Sequence, residues 1–407
     1  MANAIRFRVH YAWIILAVSF VTLLSASSVR SVPGIILTSL EQEFAWSRES
    51  ITLAASINLL LFGLAGPFLG RLMDRFGTRT VVAWTACLIA LGSAATALIQ
   101  APWHLLALWG GLVGFGSAGC SMVMASVIVN RWFITRRGLA LGILGGAMSA
   151  GQMLLTPILM QLESHFGWRS VTLFEASLMV VVLPLILGLL RNDPSQVGLR
   201  PYGAGGQETV PAMPDAYPMR HALKRPEFSL LASSFGICGL TTLGLFQTHL
   251  IPHGLEQGFS AMTMALSLGV MGVTDIFGTI ASGWICDRFG PRGPLATYYL
   301  LRGLSLLALP LVTTREELLI FSVVYGFNWL STVPATSALS ANLFGKQNVG
   351  VVFGWIIFSH QVGAAAAAYG ASTMHSCLGN YTAVFLIAGG LAILASGLVL
   401  LIPSPKQ

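Results

Sequence analysis

The chain of 407 residues has a mean hydropathy of +0.76, is 55% hydrophobic and carries only 9% charged residues. That composition excludes an ordinary soluble domain, whose water-facing surface needs far more charge. The 22 Lys and Arg against 15 Asp and Glu do not mark a nucleic-acid partner either, because they sit in short loops rather than on one face.

Arg6 and Arg8, the apolar run after them and Ser25-Ala26-Ser27 imitate a secretory signal. The run from Tyr11 continues past that point and eleven more follow, so a retained first helix is expected. A helix needs about 20 apolar residues to cross a hydrocarbon core of roughly 30 Å. Twelve candidates meet that length, at 11–38, 48–70, 78–99, 103–129, 138–160, 169–190, 228–252, 261–285, 294–313, 317–339, 349–373 and 380–402. Most are apolar all round with scattered glycine, which suits helices packed against one another in lipid.

The basic residues set the expected orientation. Arg71, Arg75, Arg79, Arg131, Arg136 and Arg137, with Arg6, Arg8, Arg288, Arg292, Lys346 and Lys406, fall at the termini or in alternate loops, against Arg48, Arg169 and Arg315 on the other side. The positive-inside rule then places both termini in the cytoplasm. The stretch 191–227 holds Pro194, Pro201, Pro211, Pro214, Pro218 and Pro226 and reads as a cytoplasmic linker. The expected division is a six-helix half at 1–190, the linker at 191–227, and a second six-helix half at 228–407.

An internal repeat supports that division. Gly70-Arg-Leu-Met-Asp74-Arg75-Phe76-Gly77-Thr-Arg79 recurs as Gly283-Trp-Ile-Cys-Asp287-Arg288-Phe289-Gly290-Pro-Arg292, 213 positions further on. Trp46-Ser47 and Phe259-Ser260 keep the same offset, and Gly138, Gly142 and Gly151 match Gly350, Gly354 and Gly363 at an offset of 212. This loop resembles the signature between the second and third helices of the major facilitator superfamily of secondary transporters. The resemblance implies an all-α membrane protein of twelve transmembrane helices in two parallel-related halves, with a site between them near mid-membrane. Asp74, Arg75, Arg79, Asp287, Arg288 and Arg292 are then candidates for a conformational latch, the acids capping a helix N-terminus or pairing with an arginine. The alternative is that the arginines only hold the loops in the cytoplasm.

An ionisable group inside a span costs at least about 2.5 kcal/mol on insertion scales, so it faces protein or water and is functional by default. Arg30 lies 17 residues after Trp13, about 26 Å along the first helix. It is a candidate substrate anchor, since its planar fork can hold a carboxylate by two bonds. Asp275 precedes Asp287 by 12 residues, about 18 Å, and is the candidate proton carrier, with pairing to Arg302 as the structural alternative. His360 lies about 15 Å into the eleventh helix and is a candidate for both anion binding and proton transfer, beside Gln361. Asn328 and Trp329 are candidate pocket residues, with Tyr325 and Phe246 as further aromatic wall. His249 and His253, flanking Pro252, are candidates for an outer gate, and Glu175 is a weaker functional candidate.

A narrower resemblance joins these observations. Tyr11-Ala-Trp13-Ile-Ile, Phe44-Ala-Trp46-Ser47, Arg131-Trp132-Phe133 before Arg136-Arg137-Gly138, and Phe166-Gly167-Trp168-Arg169 are similar to the monocarboxylate transporter and oxalate/formate exchanger branch. Asp275 falls where that branch carries its eighth-helix acid. The branch's arginine four residues later is Thr279 here, and its first-helix lysine falls at Ser31.

The resemblance implies proton-coupled alternating access for a small organic anion such as a monocarboxylate. The alternatives are a drug or metabolite antiporter of the same superfamily and a transporter-fold ligand sensor. The fifth helix, Gly142-Ile-Leu-Gly145-Gly146, lacks the proline of the antiporter element. No nucleophile elbow or phosphate-binding loop appears, so an enzyme is not expected. Five cysteines without paired spacing argue against a disulfide framework or metal site. The expected setting is a plasma or bacterial inner membrane, with the bilayer and the substrate as partners, no cofactor beyond the proton, and no obligate protein partner.

Overall fold

The computed structural model describes residues 10–204, 219–345 and 347–403. Arg6, Arg8, Lys346, Lys406 and the linker stretch 205–218 lie outside the described residues. Among those described, 12 helices are long and apolar enough to cross a bilayer. They are α1 (Tyr11–Phe44), α2 (Leu53–Phe76), α3 (Thr78–Thr96), α4 (Pro102–Trp132), α5 (Arg137–Phe166) and α6 (Trp168–Leu189). The remainder are α7 (Pro226–Glu256), α8 (Met262–Phe289), α9 (Arg292–Leu311), α10 (Arg315–Phe344), α11 (Val349–His375) and α12 (Thr382–Leu401). Trp84, Leu91, Val181 and Phe277 are each more than 55% exposed, the outward apolar surface that a lipid-facing protein requires.

The repeat in sequence becomes a repeat in capping. The side chain of Ser47 accepts the Ser50 amide at the start of the second helix, and Ser260 accepts that of Thr263 at the start of the eighth. The signature glycines Gly77 and Gly290 take φ of 85° and 77°, the left-handed region that reverses the chain between paired helices. Arg79 donates to the Leu187 carbonyl and Arg292 to that of Leu400, again 213 apart, so each caps the C-terminal end of its half's last helix.

Helices α1, α4, α7 and α10 are interrupted near their middles. In α1 a 3-10 turn spans Ser27–Arg30, and the helix restarts at Val32 with Pro33 in its first turn. Ser27 and Ser28 donate their hydroxyls to Leu24 and Ser25 carbonyls at 2.7 and 2.8 Å, competing with the regular ladder. Leu240–Phe246 in α7 is wound as a wider π-helix, beginning 213 residues after Ser27. In α4 the break follows Gly119, and in α10 it separates Arg315–Asn328 from Thr332–Phe344. Broken helices free backbone groups where a cavity can use them.

The first six and last six helices meet along two seams, α2 against α11 and α5 against α8. Glycine permits the approach. A Cβ at Gly354 would stand 2.5 Å from the Pro67 nitrogen, and one at Gly142 would stand 2.7 Å from the Thr279 carbonyl oxygen. Gly70 meets the Gly350 backbone and Gly138 that of Gly283, so both seams are tightest at the end bearing the signature loops.

Candidate functional site

A cavity of about 60 Å³ lies between the two sets of helices, bordered by Arg30, Phe62, Met148, Phe235, His360 and Gln361. Arg30, His360 and Gln361, three candidates drawn from distant parts of the sequence, are therefore brought to one chamber. The break in α1 positions Arg30, whose guanidinium lies over the Phe62 ring at 4.9 Å. Among the described residues it has no hydrogen bond or ion pair. A half-buried guanidinium with only an aromatic face beside it keeps its N–H donors free for an acceptor.

His360 packs against Phe235 with ring centroids 4.9 Å apart and lies beside Cys238. Gln361 is 4% exposed, and its Oε1 has no hydrogen-bond partner among the described residues. An unbonded buried carbonyl oxygen is costly unless a ligand or water completes it. Arg30 and Phe62 also border a second, smaller cavity of about 20 Å³ among α1, α2, α4 and α5.

Asp275 stands behind the cavity wall, 2% exposed. Its Oδ1 accepts the Leu330 amide at 2.8 Å and the Thr279 hydroxyl at 3.2 Å, and its Oδ2 accepts the Ser149 hydroxyl. Ser149 belongs to α5 and Asp275 to α8, so this carboxyl spans the seam between the two sets of helices. Sequence reasoning missed Ser149, because depth along a helix says nothing about which side chain faces which neighbour.

Asp275 has no ion pair with Arg302 in the structure. Arg302 is fully buried and turned into the break of α10. It donates to the Asn328 side chain at 3.3 Å, to the Asn328 and Trp329 carbonyls at 2.6 Å each, and to the Cys238 sulfur at 2.9 Å. The carbonyls are available because the helix stops there, and a cation at a helix C-terminus also meets its dipole. The two charged groups thus hold opposite sides of one break: Asp275 takes the freed amide of Leu330, and Arg302 takes the freed carbonyls.

Asn328 is thereby engaged with Arg302 rather than bordering the chamber. Trp329 packs edge-on to Phe246 at 5.7 Å, and Phe246 stacks on Tyr325 at 3.9 Å, an aromatic cluster in the interior of the last six helices. Ser31, where the branch's lysine would fall, is bonded to Thr156 at 2.7 Å. Glu175 is buried against Ser93 at 2.8 Å and Ser28 at 3.5 Å. His249 lies between Tyr381 and the Ala368 carbonyl at 3.3 and 3.2 Å, and His253 packs on Phe385 at 4.8 Å, all within the last six helices.

The signature acids differ in use. Asp287 accepts the amides of Gly138 and Leu139 at 2.6 and 2.8 Å, capping α5 across the seam. Asp74 instead pairs with Arg131 at 2.7 Å within the first six helices. Arg75 lies over Phe76, and Arg288 over Trp284 and Phe289. The Asp287→Ala variant removes an N-cap worth about 1 kcal/mol, so the separated population of the signature-loop end should rise roughly fivefold. Spin labels at Thr135 and Phe289 in a cysteine-free background would report it as a longer-distance component. An unchanged distance distribution would remove Asp287 from the latch.

The family model described as Major Facilitator Superfamily matches residues 18–368 and 276–407, so the chain belongs to that superfamily of membrane transporters, which are not enzymes. Among its relatives is the uncharacterized MFS-type transporter YcxA of Bacillus subtilis (strain 168), 27% identical over 88% of this chain and 86% of its own. Monocarboxylate transporter 11 of Mus musculus is 28% identical over 97% of this chain and 88% of its own, and monocarboxylate transporter 12-B of Danio rerio is 26% identical over 96% and 86%. These bear out the resemblance to the monocarboxylate branch. The crystal structure of the human organic anion transporter MFSD10 (TETRAN) superposes with a TM-score of 0.73 at 18% identity, covering 95% of this chain and 99% of that one. The proton:xylose symporter XylE superposes with a TM-score of 0.74 at 15% identity, covering 97% and 96%. Both share the fold.

Proposed function

We propose that this protein is a proton-coupled transporter of a small organic monoanion, working by alternating access about the chamber between its two sets of six helices. The observation that carries the reading is the Arg30 guanidinium, which faces that chamber over Phe62 with no anion of the protein to meet it. A carboxylate placed there completes a charge-assisted bidentate pair. The names of the monocarboxylate relatives point the same way.

Asp275 supplies the coupling in this reading. Its ionised form accepts three hydrogen bonds, one of them from Ser149 across the α5–α8 seam. Protonation withdraws the charge those donors serve and weakens the link between α5 and α8. The proton thereby acts on a seam between the two sets of helices whose cavity holds the substrate, which is how the two would be coupled. His360, bordering the chamber, is the group that passes or shares the proton. The charge distribution favours both termini in the cytoplasm of a plasma or bacterial inner membrane.

The test is uptake of labelled monocarboxylates into liposomes containing the purified protein, with and without an inward proton gradient. Uptake that saturates and rises severalfold with the gradient is the expected result. Absence of uptake for every acid, from protein that remains folded, would overturn the anion reading.

A further inference from the structure

Among the described residues two carboxyl groups are buried within the helices, and the coupling scheme uses only Asp275. The other is Glu175 of α6, which is 0% exposed. Its partners are of a different kind. Asp275 collects three donors, which suits a carboxylate. Glu175 Oε2 accepts the Ser93 hydroxyl of α3 at 2.8 Å, and Oε1 lies 3.5 Å from the Ser28 hydroxyl in the break of α1.

Counting protons fixes the direction of the second contact. A serine hydroxyl has one hydrogen to donate, and a carbonyl can only accept. Ser28 gives that hydrogen to the Ser25 carbonyl at 2.8 Å. Its oxygen therefore faces Glu175 with lone pairs. An ionised Glu175 would set one acceptor against another there. It would also hold its charge in a site closed to water on one donated bond, which is costly. A protonated Glu175 donates from Oε1 to Ser28 and accepts from Ser93 at Oε2, so both oxygens are matched.

The charged groups on the helices around α6, namely α1, α3 and α5, are engaged elsewhere. Arg169 pairs with Glu43 at 2.6 Å and Glu163 accepts from Ser39, at the helix ends where Glu41 and His165 also lie. Arg79 and Arg137 donate to the Leu187 and Phe133 carbonyls at the opposite ends. Arg30 lies over Phe62.

We propose that Glu175 is a second proton-binding site, separate from Asp275, which carries its proton in this conformation and with it ties the α1 break to α3 and α6. Ser28 and Arg30 belong to one 3-10 turn, so the proton stands behind the turn that bears the cation of the chamber. Its loss would place a negative charge beside that turn and draw on the guanidinium that the substrate needs. Raising the pH therefore weakens substrate binding by this route. The link to transport rests on the anion reading, whereas the proton on Glu175 does not.

The first readout is the infrared carbonyl stretch of a protonated carboxyl, which stands apart from the carboxylate bands and shifts in heavy water. Purified protein in liposomes at neutral pH should show such a band, lost in Glu175→Gln and kept in Asp275→Asn. Ser93→Ala keeps the acid but removes its donor, so the band should move rather than vanish. That variant serves if the glutamine protein folds poorly. A spectrum that neither variant changes overturns the proton site. The second readout is exchange of a labelled monocarboxylate at equal pH on both sides. The half-maximal concentration of wild type relative to Glu175→Gln should be about 3- to 10-fold larger at alkaline than at acid pH. A ratio independent of pH overturns the link to Arg30. Absence of exchange for every acid, with the infrared band present, removes the anion reading and leaves the proton site standing.

Discussion

Replacing Arg30 by glutamine should reduce carboxylate transport by about 30-fold or more, the largest effect expected of any single substitution in the chamber. Truncating one member of a buried, hydrogen-bonded charge pair costs roughly 2–5 kcal/mol, and 1.4 kcal/mol is tenfold. Arg30 approaches that case because its guanidinium is half-buried in the cavity wall, lies over Phe62, and would pair there with the substrate carboxylate. The loss should appear mainly as a higher concentration for half-maximal uptake. Arg30→Lys keeps the charge but not the fork, so it should recover part of the loss and no more. Uptake by Arg30→Gln at the wild-type level, in liposomes with matched protein content, would show that the anion is held elsewhere.

The second large effect concerns Asp275→Asn. The amide keeps an oxygen for the Leu330 N–H but cannot ionise, so it imitates the protonated carboxyl at every pH. Uptake driven by a proton gradient should fall to the undriven level, while exchange of substrate across the membrane continues at a reduced rate. The pH dependence of net uptake should flatten with it. The two components are separated by measuring driven uptake and counterflow on the same vesicles. Equal loss of both would make Asp275 a structural strut for the α10 break, with no special part in coupling.

Much of the architecture was legible before any coordinates. Twelve apolar runs and a ten-residue motif repeated 213 positions on specify two sets of six helices, because span length and repeat spacing are one-dimensional quantities. The gathering of Arg30 and His360 was legible for a related reason: an ionisable group in lipid must face inward. What sequence left out is azimuth. Helices that are apolar on every side carry no stripe to say which face turns where. Asn328 and Trp329 sit at the right depth but turn into the last six helices, where the α10 break gives them to Arg302 and to Phe246. Ser149 was invisible because small polar residues recur throughout such helices, and only packing distinguishes one that meets a carboxyl across a seam. Pairing with Arg302 was the structural alternative for Asp275, and the two instead hold opposite sides of the α10 break without a direct salt bridge.

The unequal use of the two signature acids bears on how the molecule would move. Along α2 and α11 the approach rests on glycine backbone at Gly66, Gly70, Gly350 and Gly354. Along α5 and α8 it also carries Asp287 on the Gly138 and Leu139 amides and Asp275 on Ser149. The first side is lined by glycine backbone, while the other is fastened twice by hydrogen bonds among the described residues, once at the rim and once at depth. A door built this way has its hinge along α2 and α11 and its two bolts along α5 and α8. In the proposed coupling, the inner bolt is the one a proton would draw.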